Sequence, residues 1–283
     1  MSETIRPIKR PGLFRLTFGM IKFVLFWVVV VLQLPIIFLL PRGRVSVRYM
    51  RVFMGWLVLM AGIRVRVNGQ LSARRPLLVL SNHISIFELA TFPIAFGGSF
   101  IAKKEMEKWP LVGWVSKKFG VVFVDRRPSH AVDALNVVRR EISRVSYPLF
   151  LFPEGTTTNG AYVKDFKSTL FNVVEGGADI AVQPVVMHYR RANGAPISDE
   201  DMARHYAYFD NAKQDRGPKC EKERSAFGQV FHIMTIGGFL VEITVLPVQI
   251  LGTMDRKQIA TQLHNVMSDK YMELKDKPRD KRK

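Results

Sequence analysis

Residues 77–90 read LLVLSNHISIFELA and place an ionisable pair directly after an apolar segment. The first four residues are typical of a buried strand, and a helix is predicted to begin just after Asn82 and His83. In a regular helix residues five apart are rotated by roughly 140°, so His83 and Glu88 meet only if the chain bends between them. At a strand-to-helix turn the His83 ring can fold back toward Glu88.

This pair has the chemistry of a general base with an orienting carboxylate. A carboxylate bonded to one imidazole nitrogen fixes the tautomer and leaves the other nitrogen to accept a proton from a hydroxyl. The closest hydroxyl is Ser85, and Cys220 lies far away in a polar stretch, so neither has the setting of an enzyme nucleophile. His83 would then activate the alcohol of a substrate. The plainer interpretation is a structural histidine among apolar neighbours.

Composition favours an anionic partner. The 283 residues include 42 Lys and Arg against 24 Asp and Glu, a formal charge of +18, and 48% are hydrophobic. This balance indicates a folded core and a partner such as phospholipid or nucleic acid. The single cysteine excludes an internal disulfide.

The N-terminal segment selects the membrane over nucleic acid. FVLFWVVVVLQLPIIFLL, residues 23–40, carries no charge and has the minimum length for a bilayer span, whereas VFMGWLVLMAGI, residues 52–63, is too short. Two apolar segments with basic flanks suit a hairpin that enters the cytosolic leaflet and returns, with a possible bend at Pro35. A single-pass anchor and a buried soluble helix are the alternatives.

Beyond Ile63 the chain alternates short apolar runs with amphipathic ones. A helix is predicted from an N-cap at Ser129 to about Arg144, and another over about 255–271. The alternation indicates an α/β fold: a mixed sheet covered by helices, following the N-terminal apolar helical hairpin or anchor. The predicted strands are 64–67, 77–80, 99–102, 121–124, 148–152, 180–187 and 241–248.

These patterns predict three parts. Residues 1–63 form a membrane-associated helical segment, 64–274 an α/β domain and 275–283 a basic tail. Within the domain, the polar and loop-like residues 199–226 are expected to form an insertion or lid.

Two further segments carry charge at predicted strand ends. FIAKKE places Lys103 and Lys104, and VFVDRR places Arg126, where α/β sheets gather ligands. Cations at this position suit an anionic head group, although a solvated basic edge is the simpler explanation.

A third segment, LFPEGTTTNG at residues 151–160, leaves a strand through a turn. A glycine next to a carboxylate allows close backbone approach to a ligand, and exposed N–H groups there could bind a developing oxyanion. By itself this segment predicts only a turn.

Five motifs in order resemble those of the glycerolipid and lysophospholipid acyltransferase family, typified by 1-acylglycerol-3-phosphate O-acyltransferases. They are NH-x4-E, IAKKE, VFVDRR, FPEGTT and VQPVVM. The likeness covers roughly Asn82 to Met187. It implies that 64–274 is an acyltransferase domain, in which His83 deprotonates the hydroxyl of a lysolipid that attacks the thioester of acyl-CoA or acyl-carrier protein. Glu88 takes the place of the orienting carboxylate. No metal or redox cofactor is implied.

The resemblance also assigns substrate-binding positions. Lys103 and Arg126 match family positions linked to the acceptor head group. Glu154, Gly155 and Thr156 match the block that shapes the acceptor site. The resemblance implies a membrane-bound protein with its catalytic domain on the cytosolic face, which is the inner membrane in a bacterium. The implied partners are membrane lipids, the lysolipid acceptor and the acyl donor, and not nucleic acid.

Two departures bear on the acceptor and the base. The family usually has Asp where this chain has Glu88. Many lysophosphatidate enzymes have Arg after EGT, whereas Thr157 followed by FKSTLF at 166–171 is more similar to lyso-ornithine-lipid and lysophosphatidylcholine acyltransferases. Lysophosphatidate is the default acceptor, and a lyso-ornithine lipid or another lysophospholipid is the alternative acceptor.

A protein of a different class is also consistent with the sequence, namely a non-catalytic membrane protein that binds lipid. A hydrolase is a weaker alternative, because the sequence contains no G-x-S-x-G elbow.

Overall fold

The computed structural model describes residues 11–125, 131–220, 223–275 and 277, with the backbone alone for 131–133. Arg126, the N-cap predicted at Ser129 and residues 278–283 of the basic tail lie outside the described residues.

The centre of the domain is a mixed sheet, which contains every strand predicted from the sequence. Among the described residues its strands are β1 Arg64–Asn68, β2 Leu77–Ser81, β3 Ser99–Lys103, β4 Val122–Val124, β5 Leu149–Leu151, β6 Ala181–Arg191 and β7 Phe239–Val245. Their order in the sheet is β1-β7-β6-β2-β5-β3-β4. All neighbouring pairs are parallel except β6 and β7, which are antiparallel.

Helices pack around this sheet. Both predicted helices are present, as α5 and α8. The α-helices are α1 Leu13–Leu39, α2 Arg44–Ala61, α3 Glu88–Phe96, α4 Val112–Lys118, α5 Ala131–Arg144, α6 Asp199–Asp201, α7 Ala226–Ile236 and α8 Arg256–Lys275. Shorter helical turns are Lys104–Lys108, Ser168–Phe171, Met202–Tyr206 and Asn211–Lys213.

The central strand β2 has apolar side chains on both faces, and all five of its residues are buried. Its parallel neighbours β5 and β6 cover its two edges. Directly after β2, the Asn82 side chain bonds to the backbone of β6. Its amide N–H donates to Met187 O at 2.8 Å, and its Oδ1 accepts the Met187 N–H at 2.8 Å. The carboxyl ends of β2, β5 and β3 therefore lie at one edge of the sheet, where the chain turns toward α3.

The N-terminal helices form an antiparallel hairpin. The Tyr49 hydroxyl lies 3.2 Å from Gln33 Oε1, and these two residues are equally far from the turn at Pro41. The helix continues through Pro35, so the reversal predicted there lies instead at 40–43. The second helix begins at Arg44, eight residues before the apolar run 52–63.

One side of α1 packs on the domain. Gly19 lies so close to α7 that an added Cβ would meet Thr235 Cγ2 at 2.5 Å, and the Phe23 and Phe231 rings contact edge to face at 5.5 Å. The other side is apolar and exposed, and only 22% of the most apolar window of α1 is buried. Among the described residues, α1 is the one helix long and apolar enough to cross a membrane.

Candidate active site

His83 lies in the irregular turn between β2 and α3, and α3 begins at Glu88 rather than directly after the histidine. The bend brings His83 Nδ1 within 2.8 Å of Glu88 Oε2. The Ser85 N–H donates to the same oxygen at 2.8 Å. The predicted pairing is thus present in the structure, and it depends on the turn that the spacing required.

The other Glu88 oxygen is bound from the centre of the sheet. Glu88 is fully buried, and its Oε1 accepts a hydrogen bond from the Tyr189 hydroxyl on β6. Burial, followed by the nearby Glu88 charge, raises the pKa of Tyr189 well above its usual value, so Tyr189 remains a donor. Glu88 therefore connects the base to a tyrosine 101 positions further along the chain.

The His83 ring is fixed but accessible. It stacks on Phe152 at a centroid distance of 4.1 Å, and its side chain is 18% exposed. Because Nδ1 faces Glu88, Nε2 is the nitrogen left to meet a substrate.

The segment 154–158 binds the backbone of His83 from both sides. Glu154 Oε1 accepts the His83 N–H at 2.7 Å, and the Thr158 N–H donates to the His83 carbonyl at 2.8 Å. The second Glu154 oxygen accepts the Lys164 N–H at 2.8 Å. Glu154 is fully buried. Burial raises its pKa to about 8, against the opposing effect of the two N–H donors.

Gly155 turns the chain beside this carboxylate with φ of +71°, and an added Cβ would lie 2.8 Å from Lys167 Cδ. Its N–H donates to Phe152 O at 3.1 Å. The expectation that this segment offers exposed N–H groups to an oxyanion is therefore wrong for Gly155. The neighbouring Thr156 is half-buried.

The two predicted head-group cations have different standing. Lys103 ends β3 at the same sheet edge as His83, and it is exposed. Next to it, Lys104 forms an ion pair with Glu107 at 2.5 Å. Arg126 lies outside the described residues, so its role remains a prediction.

The polar insertion is more structured than predicted. Asn159, next to the EGTT segment, donates from Nδ2 to the carbonyls of Arg216 and Pro218 at 2.8 and 3.0 Å. Gln214 Nε2 donates to the Thr157 carbonyl at 3.1 Å. Helical turns occupy much of 199–213, and these hydrogen bonds fasten the insertion onto the segment that supports His83.

Sequence reasoning did not identify Tyr189 or the backbone role of Glu154. Tyr189 follows VQPVVM by two residues and has the pattern of an ordinary buried strand residue. Only the pairing of β6 beside β2 directs its hydroxyl to Glu88. No local pattern carries that information.

The fold and site define an α/β domain with a hydrogen-bonded His83–Glu88 pair at the carboxyl edge of its sheet, joined to an apolar helical hairpin. Residues 63–188 match the family model described as Acyltransferase. The predicted resemblance to the acyltransferase family is thus confirmed over this part of the chain.

Curated relatives have related names. The chain is 34% identical over 176 residues to the lyso-ornithine lipid O-acyltransferase of Pseudomonas aeruginosa, covering 59% of this chain and 66% of that protein. It is 39% identical over 123 residues to a lysophospholipid acyltransferase of Arabidopsis thaliana, covering 41% and 29%. The matches to the lyso-ornithine lipid enzymes of three other bacteria span about half of those proteins.

A solved structure shares the fold. The 1-acyl-sn-glycerophosphate acyltransferase of Thermotoga maritima superposes with a TM-score of 0.56, covering 94% of this chain and 100% of that one at 17% identity. At this identity the likeness supports the fold.

Proposed function

We propose that this protein transfers a fatty acyl group from a thioester, acyl-CoA or acyl-carrier protein, to the free hydroxyl of a lysolipid. The observation that carries the proposal is the His83–Glu88 pair, with Nδ1 bound at 2.8 Å and the ring partly exposed at a sheet edge. The match of residues 63–188 to the acyltransferase family model supports it.

The chemistry follows from the orientation of the ring. His83 Nε2 removes the proton of the lysolipid hydroxyl while the oxygen attacks the thioester carbonyl. A C–O bond forms, the C–S bond breaks, and the imidazolium returns its proton to the leaving thiolate. Glu88 stabilises the imidazolium through Nδ1–H and does not itself take a proton.

For the acceptor, the observations favour a lyso-ornithine lipid over lysophosphatidate. Lyso-ornithine lipid O-acyltransferases of four bacteria match this chain. In addition, Thr157 occupies the position at which many lysophosphatidate enzymes have Arg. In either case Lys103 and Arg126 are proposed to contact the acceptor head group. Gly155 and Thr156 are proposed to shape its site, and Glu154 to act on it indirectly by holding the backbone of His83.

The proposed place of reaction is the membrane surface on the cytosolic side. The exposed apolar side of α1 supports insertion, and the hairpin geometry favours entry into one leaflet over a simple crossing. The acceptor hydroxyl would then reach His83 without leaving the interface.

The test is acyl transfer by the purified full chain in detergent, from labelled acyl-CoA and acyl-carrier protein to a panel of lysolipids. We expect His83→Ala to lose roughly 10²- to 10⁴-fold in kcat, the usual contribution of a general base, with membrane association unchanged. His264→Ala, a partly exposed histidine on α8, is the matched control. Equal turnover in His83→Ala and wild type would refute the proposed base. Intact lipid binding with no turnover in wild type would favour the non-catalytic binder.

The acceptor assignment is tested by Thr157→Arg and Arg126→Ala. We expect Thr157→Arg to shift preference toward lysophosphatidate, because a guanidinium pairs with phosphate. Arg126→Ala should raise the acceptor KM far more than the donor KM. An equal rise in both constants would contradict a head-group role.

A further inference from the structure

A second basic site lies at the sheet edge opposite His83. The glycines Gly97 and Gly98 precede β3, Pro148 precedes β5, and Arg75 precedes β2. These strands are parallel, so their amino ends share one edge, away from the carboxyl edge with the base. Together with one side of α2 they line a cavity of about 420 Å³, within the size range of small-molecule sites.

Four arginines surround this cavity, which is called the arginine pocket below. They are Arg44, Arg48 and Arg51 from α2, and Arg75. At 100° per residue the three helical arginines fall within about 60° of one another. The rest of the lining is Val47, Phe96, Gly97, Gly98, Ser146, Tyr147 and Pro148, without an acidic residue.

Two of the arginines are fixed by backbone carbonyls. Arg51 donates to Ile94 O at 2.9 Å. Arg75 donates to Ser146 O at 3.0 Å and to Ser72 O at 2.8 Å. Both guanidinium groups are thus held at the pocket while keeping their charge.

The other two arginines, Arg44 and Arg48, line the pocket and are exposed. Within the part of the chain that the structure describes, Arg44 and Arg48 form no ion pair with an acidic side chain. Glu141, whose charge acts together with burial to raise the pKa of Tyr147, is paired with Arg140 and Arg144 at 3.3 and 3.7 Å. The pocket therefore has uncompensated positive charge arranged around a concave surface.

The adjacent surface of α2 indicates where the ligand comes from. Val45, Val52 and Leu59 are 51%, 53% and 63% exposed, and at 100° per residue the centre of this stripe lies about 70° around the helix from the centre of the arginines. An apolar stripe beside a basic one is the pattern of a helix in the interfacial plane of a membrane. A phosphate in the pocket would then have its acyl chains beside the apolar stripe.

We propose that the arginine pocket binds the phosphate of an anionic bilayer phospholipid, separately from the reacting lysolipid. Arg44 and Arg48 would contact the phosphate oxygens as forked donors. Bound lipid would fix the orientation of the domain on the bilayer surface. This site is independent of the proposed reaction, because it lies at the other edge of the sheet.

The test measures binding of soluble probes to the full chain in non-ionic detergent by calorimetry. The probes are dihexanoyl phosphatidylglycerol below its micellar concentration, dihexanoyl phosphatidylcholine and inorganic phosphate. Vesicles of phosphatidylcholine with and without phosphatidylglycerol give the membrane partition coefficient. We expect saturable binding of the short-chain phosphatidylglycerol, tighter than that of either other probe.

Charge and geometry are separated by variants. Arg44→Gln with Arg48→Gln should weaken partition to anionic vesicles about 25-fold, taking about fivefold per basic residue. Lys219→Gln with Lys257→Gln removes equal charge from exposed positions elsewhere and should change partition much less. Arg44→Lys with Arg48→Lys keeps the charge and loses the fork, so short-chain lipid binding should fall several-fold.

A substitution that leaves every arginine in place gives a second test. Ser146 is exposed on the pocket wall, so Ser146→Phe should fill the pocket and weaken short-chain lipid binding without changing charge. If both the Arg44→Lys, Arg48→Lys variant and Ser146→Phe bound the short-chain lipid as tightly as wild type, the attraction would be a diffuse surface effect, and the proposal would be overturned. Phosphate binding as tight as lipid binding would also overturn it, in favour of a free-anion site.

Discussion

Glu154→Gln is the substitution that separates two roles for the EGT segment. The resemblance assigns Glu154 to the acceptor site, whereas the structure shows a fully buried side chain whose oxygens accept the backbone N–H groups of His83 and Lys164 at 2.7 and 2.8 Å. Gln has nearly the same shape, but only one acceptor atom for two donors. The substitution therefore loosens the backbone of the base without opening a cavity.

The size of the effect follows from the lost bond. Leaving a buried N–H donor without its acceptor costs about 1–3 kcal/mol, so the combined loss in folding stability and transition-state stabilisation should lie in that range. If all of it appeared in the transition state, kcat would fall roughly 5- to 150-fold. A positioning residue should lower kcat and leave the acceptor KM nearly unchanged.

The assay is steady-state acyl transfer with varied acceptor at saturating donor, beside thermal unfolding. Glu200→Gln, on an exposed residue, is the control. A large rise in acceptor KM with unchanged kcat would refute the positioning role and favour direct contact with substrate.

The buried Glu154 should also make the unfolding free energy depend on pH. Its pKa rises from 4.5 to about 8 on folding, so the folded state keeps a proton that the unfolded state releases above pH 4.5. The contribution to stability is therefore lost as pH rises from about 4.5 to 8, by up to about 1.4 kcal/mol per pH unit. We expect the unfolding free energy of Glu154→Gln to vary less across this range. An identical slope in both proteins would contradict the assignment.

Three further outcomes are expected. Tyr189→Phe leaves a buried Glu88 oxygen without its donor and should lower the unfolding free energy by about 1–3 kcal/mol. Its kcat should also fall, because Glu88 is held less firmly against His83, and unchanged stability and turnover would count against this role. Glu88→Asp, one methylene shorter, should lose contact with either His83 or Tyr189 and reduce kcat about tenfold or more. Recovery of kcat when Glu88→Asp is combined with Tyr189→Phe would show that the two positions are coupled. Glu242, whose pKa is lowered to about 2 by hydrogen bonds from His188 and Arg190, has a stabilising effect that is present above pH 4.5 and lost toward pH 2. Urea unfolding of Glu242→Gln should show a deficit of about 1–3 kcal/mol at pH 7 that disappears in acid.

By itself, the sequence determined the features that depend on neighbouring residues. The apolar runs, their lengths and their bounding turns predict every strand of the sheet, the hairpin of apolar helices and the bend that joins His83 to Glu88. Such features are readable because burial periodicity and turn chemistry act over a few residues. A proline in an apolar run indicates a bend, so the sequence predicts the reversal at Pro35, yet the helix continues through it and the chain reverses at 40–43.

The tertiary structure decided what surrounds the base. Tyr189 reaches Glu88 because β6 pairs with β2, and Glu154 reaches the His83 N–H because the turn after β5 folds over that strand edge. The arginine pocket likewise needs α2 to cross the starts of β3 and β5. These contacts join residues 71 or more positions apart along the chain, or separate elements of the fold. Pairing of distant strands is set by the packing of the whole core, so no local pattern in the sequence contains it.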